Sequence, residues 1–124
     1  MASRPIMTSL KTVDQLSIAL DNNPGVIIIK LGATWCAPCQ VIESTVKTHF
    51  SKMPHNVQCY AIDVDDNFEL YGQLKKKKIV KGIPALLAYN HENNDGYPDD
   101  FYSGTNKEHV QMFFQRCNDW ASKL

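Results

Sequence analysis

Cys36 and Cys39 stand three positions apart in the run Trp35-Cys36-Ala37-Pro38-Cys39, and this pair carries the clearest chemistry in the chain. Two thiols at that spacing, in the first turn of a helix, can close a disulfide or open to a reactive dithiol. The apolar run Val26-Ile27-Ile28-Ile29-Lys30-Leu31 precedes them, and a patterned segment from Val41-Ile42 through Val46 and Phe50 follows. Strand, short loop, helix is the setting in which C-x-x-C reads as redox-active rather than structural. A helix N-terminus carries positive potential and free N–H donors, which favour a thiolate on the first cysteine. Thiolate is the nucleophile of disulfide exchange, and a second thiol within reach then resolves the mixed disulfide.

Two other readings of these cysteines carry less. Buried structural thiols would not call for the adjacent Trp35, the Pro38 and the helix start together. Zinc could draw on His49 and His55, but nine residues separate Cys39 from His49 where a finger has about twelve, and the pair would open a helix instead of a hairpin. Cys59 alternates with Val57 and Ala61 on a strand, and Cys117 lies in an aromatic helical stripe. Both read as core-filling thiols. Trp120 shares that stripe and reads as core, whereas Trp35 adjoins the reactive turn. The run Lys75 to Lys78, with Lys81, reads as a solvated helix end, where cations suit the macrodipole; its other reading is steering of acidic partners toward Pro84. His91 and His109 carry no signal.

The elements that must position the pair can be traced in order. Ile6-Met7 begins a short first strand. Thr12-Val13-Asp14-Gln15 is a capping box, followed by Leu16, Ala19 and Leu20 at helical spacing. Asn22-Asn23-Pro24-Gly25 stops that helix. Val26 to Leu31 reads as a buried strand by its length and β-branched content. The next helix places Val41, Ile42, Val46, Phe50 and Met53 on one face and ends at Pro54. Val57 to Val64 is a second buried strand. A helix from Asn67 to about Lys77 has Phe68, Leu70, Tyr71 and Leu74 as its apolar side. Ala85 to Tyr89 is a third strand, Asn90 to Asp100 a long turn, and Phe101-Tyr102 an edge strand closing at Gly104. Thr105-Asn106-Lys107-Glu108 is a second capping box, and Val110, Phe113, Phe114, Cys117, Trp120, Ala121 and Leu124 trace the stripe of the last helix.

Strands alternating with helices predict an α/β fold with parallel pairing in its first part, and the last two strands, joined by a turn, must be antiparallel. The expected fold is a mixed sheet with helices on both faces. Sites in such sheets sit at the carboxyl ends of parallel strands, which is where Cys36 falls. The 124 residues fit a single domain spanning 1–124 with its own core. Thirteen basic residues balance thirteen acidic ones, so no global field points to nucleic acid or an anionic membrane. No apolar run approaches the ~20 residues of a membrane span. The start, Met1 to Ser9, lacks the apolar core of a signal peptide, so a reducing cytoplasmic setting is the expectation.

With its order and spacing in place, the chain resembles the thioredoxin family along nearly its full length. Four anchors carry the resemblance: Trp35-Cys36-Ala37-Pro38-Cys39, one residue from the family's Trp-Cys-Gly-Pro-Cys; Gly82-Ile83-Pro84, like the family's cis-proline loop; Ala61-Ile62-Asp63-Val64-Asp65-Asp66, like a strand end of the family; and Gly104 ahead of the final helix. The resemblance implies a thioredoxin fold and reduction of protein disulfides, with recharging by an NADPH-dependent thioredoxin reductase. It implies that Cys36 is the exposed attacking thiol and Cys39 the buried resolving thiol. Trp35 would shield the site, and Ala37, Pro38 and Gly104 would border the substrate. Pro84 would be cis and face the sulfurs, leaving the Ile83 backbone free to pair with a substrate segment. No cofactor and no metal is expected, and a monomer is. A thiol oxidant or isomerase, and a binding module that docks proteins at the Pro84 groove without turnover, are the rival functions.

The chain departs from the family at four places. Lys30 takes the position of a buried aspartate, whose lysine partner falls near Ala61; Leu31-Gly32-Ala33 replaces Phe-Trp-Ala, so one aromatic wall is missing; Ser44 replaces a proline; and the turn after Asn90 is longer. Strand alternation puts Lys30 on the face of Ile28, and the resemblance implies a place in the core below Cys39, with no partner at Ala61. It is expected to tune the pair, either as a cation that pairs with a Cys39 thiolate or snorkels to water, or as a neutral base that deprotonates Cys39, and to make the protein more oxidising than Lys30→Asp.

Overall fold

The computed structural model describes residues 3–124; Met1 and Ala2, on which the reading of the chain's start partly rests, lie outside them. Its central strand is β1 (Val26–Gly32), whose apolar side chains are all buried. That follows from pairing on both edges. β2 (Val57–Asp63) lies parallel to it, with Ile28 opposite Cys59 and Lys30 opposite Ala61. β3 (Ala85–Asn90) lies antiparallel on the other edge, with Ile28 opposite Ala88 and Lys30 opposite Leu86. β4 (Asp100–Tyr102) adds to β3, giving the order β2-β1-β3-β4. The expected parallel pairing therefore holds for β1 and β2 only. Although a helix separates β2 from β3, the return segment 77–84 brings β3 in antiparallel.

Alternation along β1 feeds two apolar layers. Ile27, Ile29 and Leu31 pack with Leu16 and Leu20 of α1 (Val13–Asp21) and with Leu70 and Leu74 of α3 (Phe68–Lys76). Val26 and Ile28 pack with Ile42, Val46 and Phe50 of α2 (Ala37–Lys52) and with Val110, Phe113, Phe114 and Cys117 of α4 (Lys107–Ser122). Cys36 and Cys39 join the first layer, not the second, so the head of α2 reaches across the end of the sheet.

Local chemistry sets the helix ends. Thr12 Oγ1 accepts from the Gln15 N–H at 3.1 Å, and Gln15 Oε1 reaches back to the Lys11 N–H at 2.7 Å. At α4 the cap is Asn106, whose Oδ1 accepts from the His109 N–H at 3.0 Å, one residue later than the Thr105–Glu108 box implies. α3 ends with Lys78 at φ 61°, the Lys78 N–H on Lys75 O and the Ile79 N–H on Leu74 O, a closure that glycine usually makes.

Three further expectations change. Ile6-Met7 is not a strand but an isolated parallel bridge of Met7 to Tyr60, held by the Met7 N–H on Cys59 O and the Ala61 N–H on Met7 O. Val41 and Phe68, placed on buried helix faces, are exposed. On α2 the buried stripe is Cys39, Ile42, Val46 and Phe50, which leaves Val41 a full 100° step off it, and Phe68 occupies the first, outward-facing position of α3.

Candidate active site

The loop from β1 to α2 presents the motif at the end of the sheet. Thr34, Trp35, Ala37 and Pro38 are exposed, while Cys36 and Cys39 between them are 5 % and 6 % exposed and joined as a disulfide with a Cα–Cα separation of 5.2 Å. The expected contrast between an exposed first cysteine and a shielded second one is thus not a contrast of burial in the oxidised pair. It is a contrast of position. Cys36 is the N-cap of α2, and its Sγ accepts from the Cys39 N–H at 3.2 Å; Cys39 lies inside the first turn. Only Cys36 therefore receives an amide donor of the helix head, where negative charge is stabilised. Pro38, in the same turn, sits where a missing N–H costs the helix nothing.

Trp35 is 67 % exposed and is oriented by its indole N–H, which donates to Asp65 Oδ2 at 2.7 Å. Asp65 is held by its own N–H on Asp63 Oδ1. The Ile83–Pro84 bond is cis, with Pro84 buried and Ile83 packed half-buried against the layer that contains both cysteines. Ser103 Oγ donates to Pro84 O at 2.7 Å, tying the end of β4 to this loop and bringing Gly104 beside it. Gly104 has φ 148°, and a Cβ there would stand 2.7 Å from the Tyr102 hydroxyl. That hydroxyl accepts from the Asn106 N–H at 2.9 Å, so it is not free to yield. Glycine is required here twice over, by conformation and by space.

Lys30 does find a partner. Its Nζ lies 3.5 Å from Glu43 Oε1, and Glu43 is shared with Lys47 at 3.7 Å. The absence of a partner at Ala61 is made good from α2, a contact that strand alternation could not reveal. Lys30 and Glu43 line a cleft of about 190 Å³ together with Gly32, Thr34, Cys39, Gln40 and Asp63. A Cβ at Gly32 would meet Cys39 Sγ at 3.6 Å and Lys30 Cε at 3.6 Å, so the missing side chain of Gly32 is what opens this space against the sulfur.

The remaining candidates lie elsewhere. His49 stacks on Phe114 at 4.8 Å between ring centroids, far along α2 from the cysteines, and no group of three or more potential metal ligands occurs among the described residues. Cys59 and Cys117 are free thiols in the second layer. Burial pushes the Cys59 thiol up to about 12, and burial raises Cys117 further, so neither supplies a thiolate near neutral pH. Glu43 and Ser103 are residues that sequence reasoning does not single out, and it reads Asp65 only as part of a strand end, not as the partner of Trp35. Each acts by a contact between distant segments, and none carries a local signature. No helix of the described residues is long and apolar enough to cross a membrane.

Comparison with known proteins agrees with this geometry. A sequence model of the family described as thioredoxin matches residues 8–116. The thioredoxin of Bacillus subtilis is 33% identical over 82 residues, covering 66% of this chain and 74% of its own length. The thioredoxin of the snake Ophiophagus hannah is 32% identical over 85 residues, covering 68% and 72%. Among solved structures, Trichomonas vaginalis thioredoxin superposes with a TM-score of 0.72 at 25% identity, covering 93% of this chain and 99% of that one. The matched residues run from ahead of α1 into α4 and include the disulfide at the head of α2, and on that ground the chain belongs to the thioredoxin family, as a protein-disulfide reductase working through Cys36 and Cys39.

Proposed function

We propose that the two sulfurs divide the labour as follows. The Cys36 thiolate attacks a disulfide of a protein substrate, one substrate sulfur leaves as thiolate, and a mixed disulfide forms. Cys39 then attacks Cys36 Sγ, the substrate leaves as a dithiol, and the Cys36–Cys39 disulfide remains. The observation that carries this assignment is the Cys39 N–H on Cys36 Sγ at 3.2 Å, a donor at the helix head that only Cys36 enjoys. Trp35, Ala37 and Pro38 form one wall of the docking surface, and Ile83, Pro84 and Gly104 the other. An extended substrate segment pairs there with the Ile83 backbone. Lys30 tunes the couple from beside Cys39. The substrates are disulfide-bearing proteins, a thioredoxin reductase restores the dithiol, no nucleic acid, membrane, metal or cofactor takes part, and the protein acts as a monomeric single domain in the cytoplasm.

Insulin reduction driven by dithiothreitol or by a thioredoxin reductase tests this reading. Cys36→Ser abolishes turnover. Cys39→Ser still attacks but holds its substrate as a mixed disulfide, visible as a mass adduct on Cys36. An adduct on Cys39 in Cys36→Ser with equal facility toward protein substrates reverses the assignment.

A further inference from the structure

We infer that Phe68, rimmed by the carboxylates of Asp66 and Glu69, extends the docking surface beyond Trp35. Its occupant is an apolar side chain flanked by lysine or arginine, in the segment beside a protein substrate's disulfide. The inference rests on the reductase reading of Cys36 and Cys39 and adds to it a preference among substrates. Strand order sets the geometry. β1 and β2 are parallel and finish together, with Gly32 opposite Asp63. β3 begins at that same end on the other flank of β1, with Ala85 opposite Leu31. The Cys36 loop therefore stands between Ile83-Pro84 on one side and segment 64–68 on the other. Phe68 opens α3 there, three residues past Asp65, which accepts from the Trp35 indole N–H. Phe68 and Trp35, 75 % and 67 % exposed, are the two most exposed large apolar side chains among the described residues. Both lie at one end of the sheet, linked through Asp65.

The ring is held out rigidly. Asn67, just before it, is the one buried residue with an amide or charged side chain among the described residues. Its Oδ1 accepts from the Leu10 N–H at 2.9 Å, and its Nδ2 donates to Asp63 O at 2.9 Å. The Asp65 N–H on Asp63 Oδ1 closes the same turn. The segment is thus fixed before a partner arrives, so docking spends little entropy on ordering it. A ring held in water adds nothing to the core, and a partner that covers it gains its apolar area.

Charge selects the partner. Asp63, Asp65, Asp66 and Glu69 fall within seven positions, and no ion pair joins them to a cation among the described residues. Lys11 reaches the segment, but its Nζ bonds the Asp66 carbonyl at 2.6 Å and not a carboxylate. An acidic rim attracts cationic neighbours of the docked side chain and repels acidic ones. A lysine- or arginine-flanked apolar residue matches both the ring and its rim.

The test mixes the fully reduced protein with synthetic peptides that hold one intramolecular disulfide and, beside it, Lys-Leu-Lys, Glu-Leu-Glu or Lys-Ser-Lys. Quenched alkylation and mass spectrometry read oxidation of Cys36 and Cys39. Each rate is divided by that peptide's rate with mercaptoethanol, which removes differences in intrinsic reactivity. Hydroxyethyl disulfide, which has no segment to lay on the patch, is the reference. Wild type should react about tenfold faster with Lys-Leu-Lys than with Glu-Leu-Glu at low salt, and the ratio should shrink in about 0.5 M salt. Phe68→Ser should slow the Lys-Leu-Lys reaction about fivefold and leave Lys-Ser-Lys and hydroxyethyl disulfide within about twofold of wild type. The double variant Asp66→Asn, Glu69→Gln should lower the preference for Lys-Leu-Lys over Glu-Leu-Glu about threefold. Equal rates of wild type and Phe68→Ser with Lys-Leu-Lys overturn the inference, as do equal wild-type rates with Lys-Leu-Lys and Glu-Leu-Glu. Slowing of every disulfide alike in Phe68→Ser would make Phe68 structural and overturn it too. A wild-type dimer in sedimentation that Phe68→Ser dissociates would give the patch to a second copy. Failure of every one of these disulfides to oxidise the wild-type pair would instead contradict the reductase reading.

Discussion

The chain carries two sets of cysteines in opposite layers of one sheet, and their surroundings differ in nearly every respect that governs sulfur chemistry. Cys36 and Cys39 lie at the head of α2 among exposed neighbours, with a backbone N–H on one sulfur. Cys59 and Cys117 lie between β2 and α4, 3 % and 0 % exposed, walled by Phe113, Phe114 and Val57 in the same apolar layer. The first set is redox-active; the second is held protonated by burial. Burial alone does not separate them, since Cys36 is itself only 5 % exposed. What separates them is the helix head, which supplies donors and positive potential, against an apolar layer that supplies neither.

The comparison can be broken first at its strongest contrast. Cys36→Ser should reduce insulin turnover to the uncatalysed rate, whereas Cys59→Ala and Cys117→Ala should leave it within about twofold of wild type, because a raised thiol cannot act as nucleophile. An activity assay on the three variants decides this, and a redox role for the core pair would show as a loss in either core variant.

Stability should respond in the opposite sense. Cys117→Ser buries a hydroxyl in the aromatic layer and should cost about 1–3 kcal/mol in urea or thermal unfolding, with the disulfide chemistry untouched. Gly104→Ala should cost about 1–3 kcal/mol through its positive φ and the close Tyr102 hydroxyl.

The raised core thiols also predict a pH dependence. A thiol that titrates at its ordinary value of 9.0 in the unfolded chain and near about 12 in the folded one keeps its proton longer when folded. Its stabilising effect is complete below the unfolded value and is lost as pH rises through that window, at about 1.4 kcal/mol per pH unit for one proton. Cys59→Ala should therefore fall less steeply between pH 9 and pH 12 than wild type in chemical unfolding. Identical slopes would mean that Cys59 is not the buried thiol described here.

The smallest expected effect concerns the charge beside the reactive pair. Lys30→Asp removes the cation facing Cys39 and places a second carboxylate near Glu43. The dithiol form loses support, and the reduction potential should fall by about 30 mV, equivalent to about 1.4 kcal/mol for the two-electron couple. Because Glu43 already offsets part of the Lys30 charge, a larger shift is not expected. A redox titration of both proteins against glutathione at one pH reads it, and an equal or higher potential in Lys30→Asp removes Lys30 from the couple.

Much of this molecule is legible in the chain because its signals are local. The Thr12 cap, the breaker at Asn22 to Gly25, the apolar run of β1 and the placement of C-x-x-C after it each depend on neighbours in sequence. The features that sequence reading misplaced depend on contacts between segments. The antiparallel entry of β3 is set by the 77–84 return, which has no periodicity to read. Ile6-Met7 has strand composition, but it pairs through one bridge to Tyr60. Glu43 looks like an ordinary solvent-facing residue of α2, and only the fold sets it against Lys30. The cap of α4 moves from Thr105 to Asn106 because Tyr102 takes the Asn106 N–H and fixes the entry of the helix.

The central claim is that the helix head, and not exposure, singles out Cys36 among four cysteines. Its most direct test is competitive alkylation of the fully reduced native protein with a small neutral reagent, followed by peptide mass mapping at several times and pH values. Cys36 should be modified first, Cys39 more slowly, and Cys59 and Cys117 only when the protein unfolds. Modification of Cys39 ahead of Cys36, or of either core cysteine at a comparable rate in the folded protein, would contradict it.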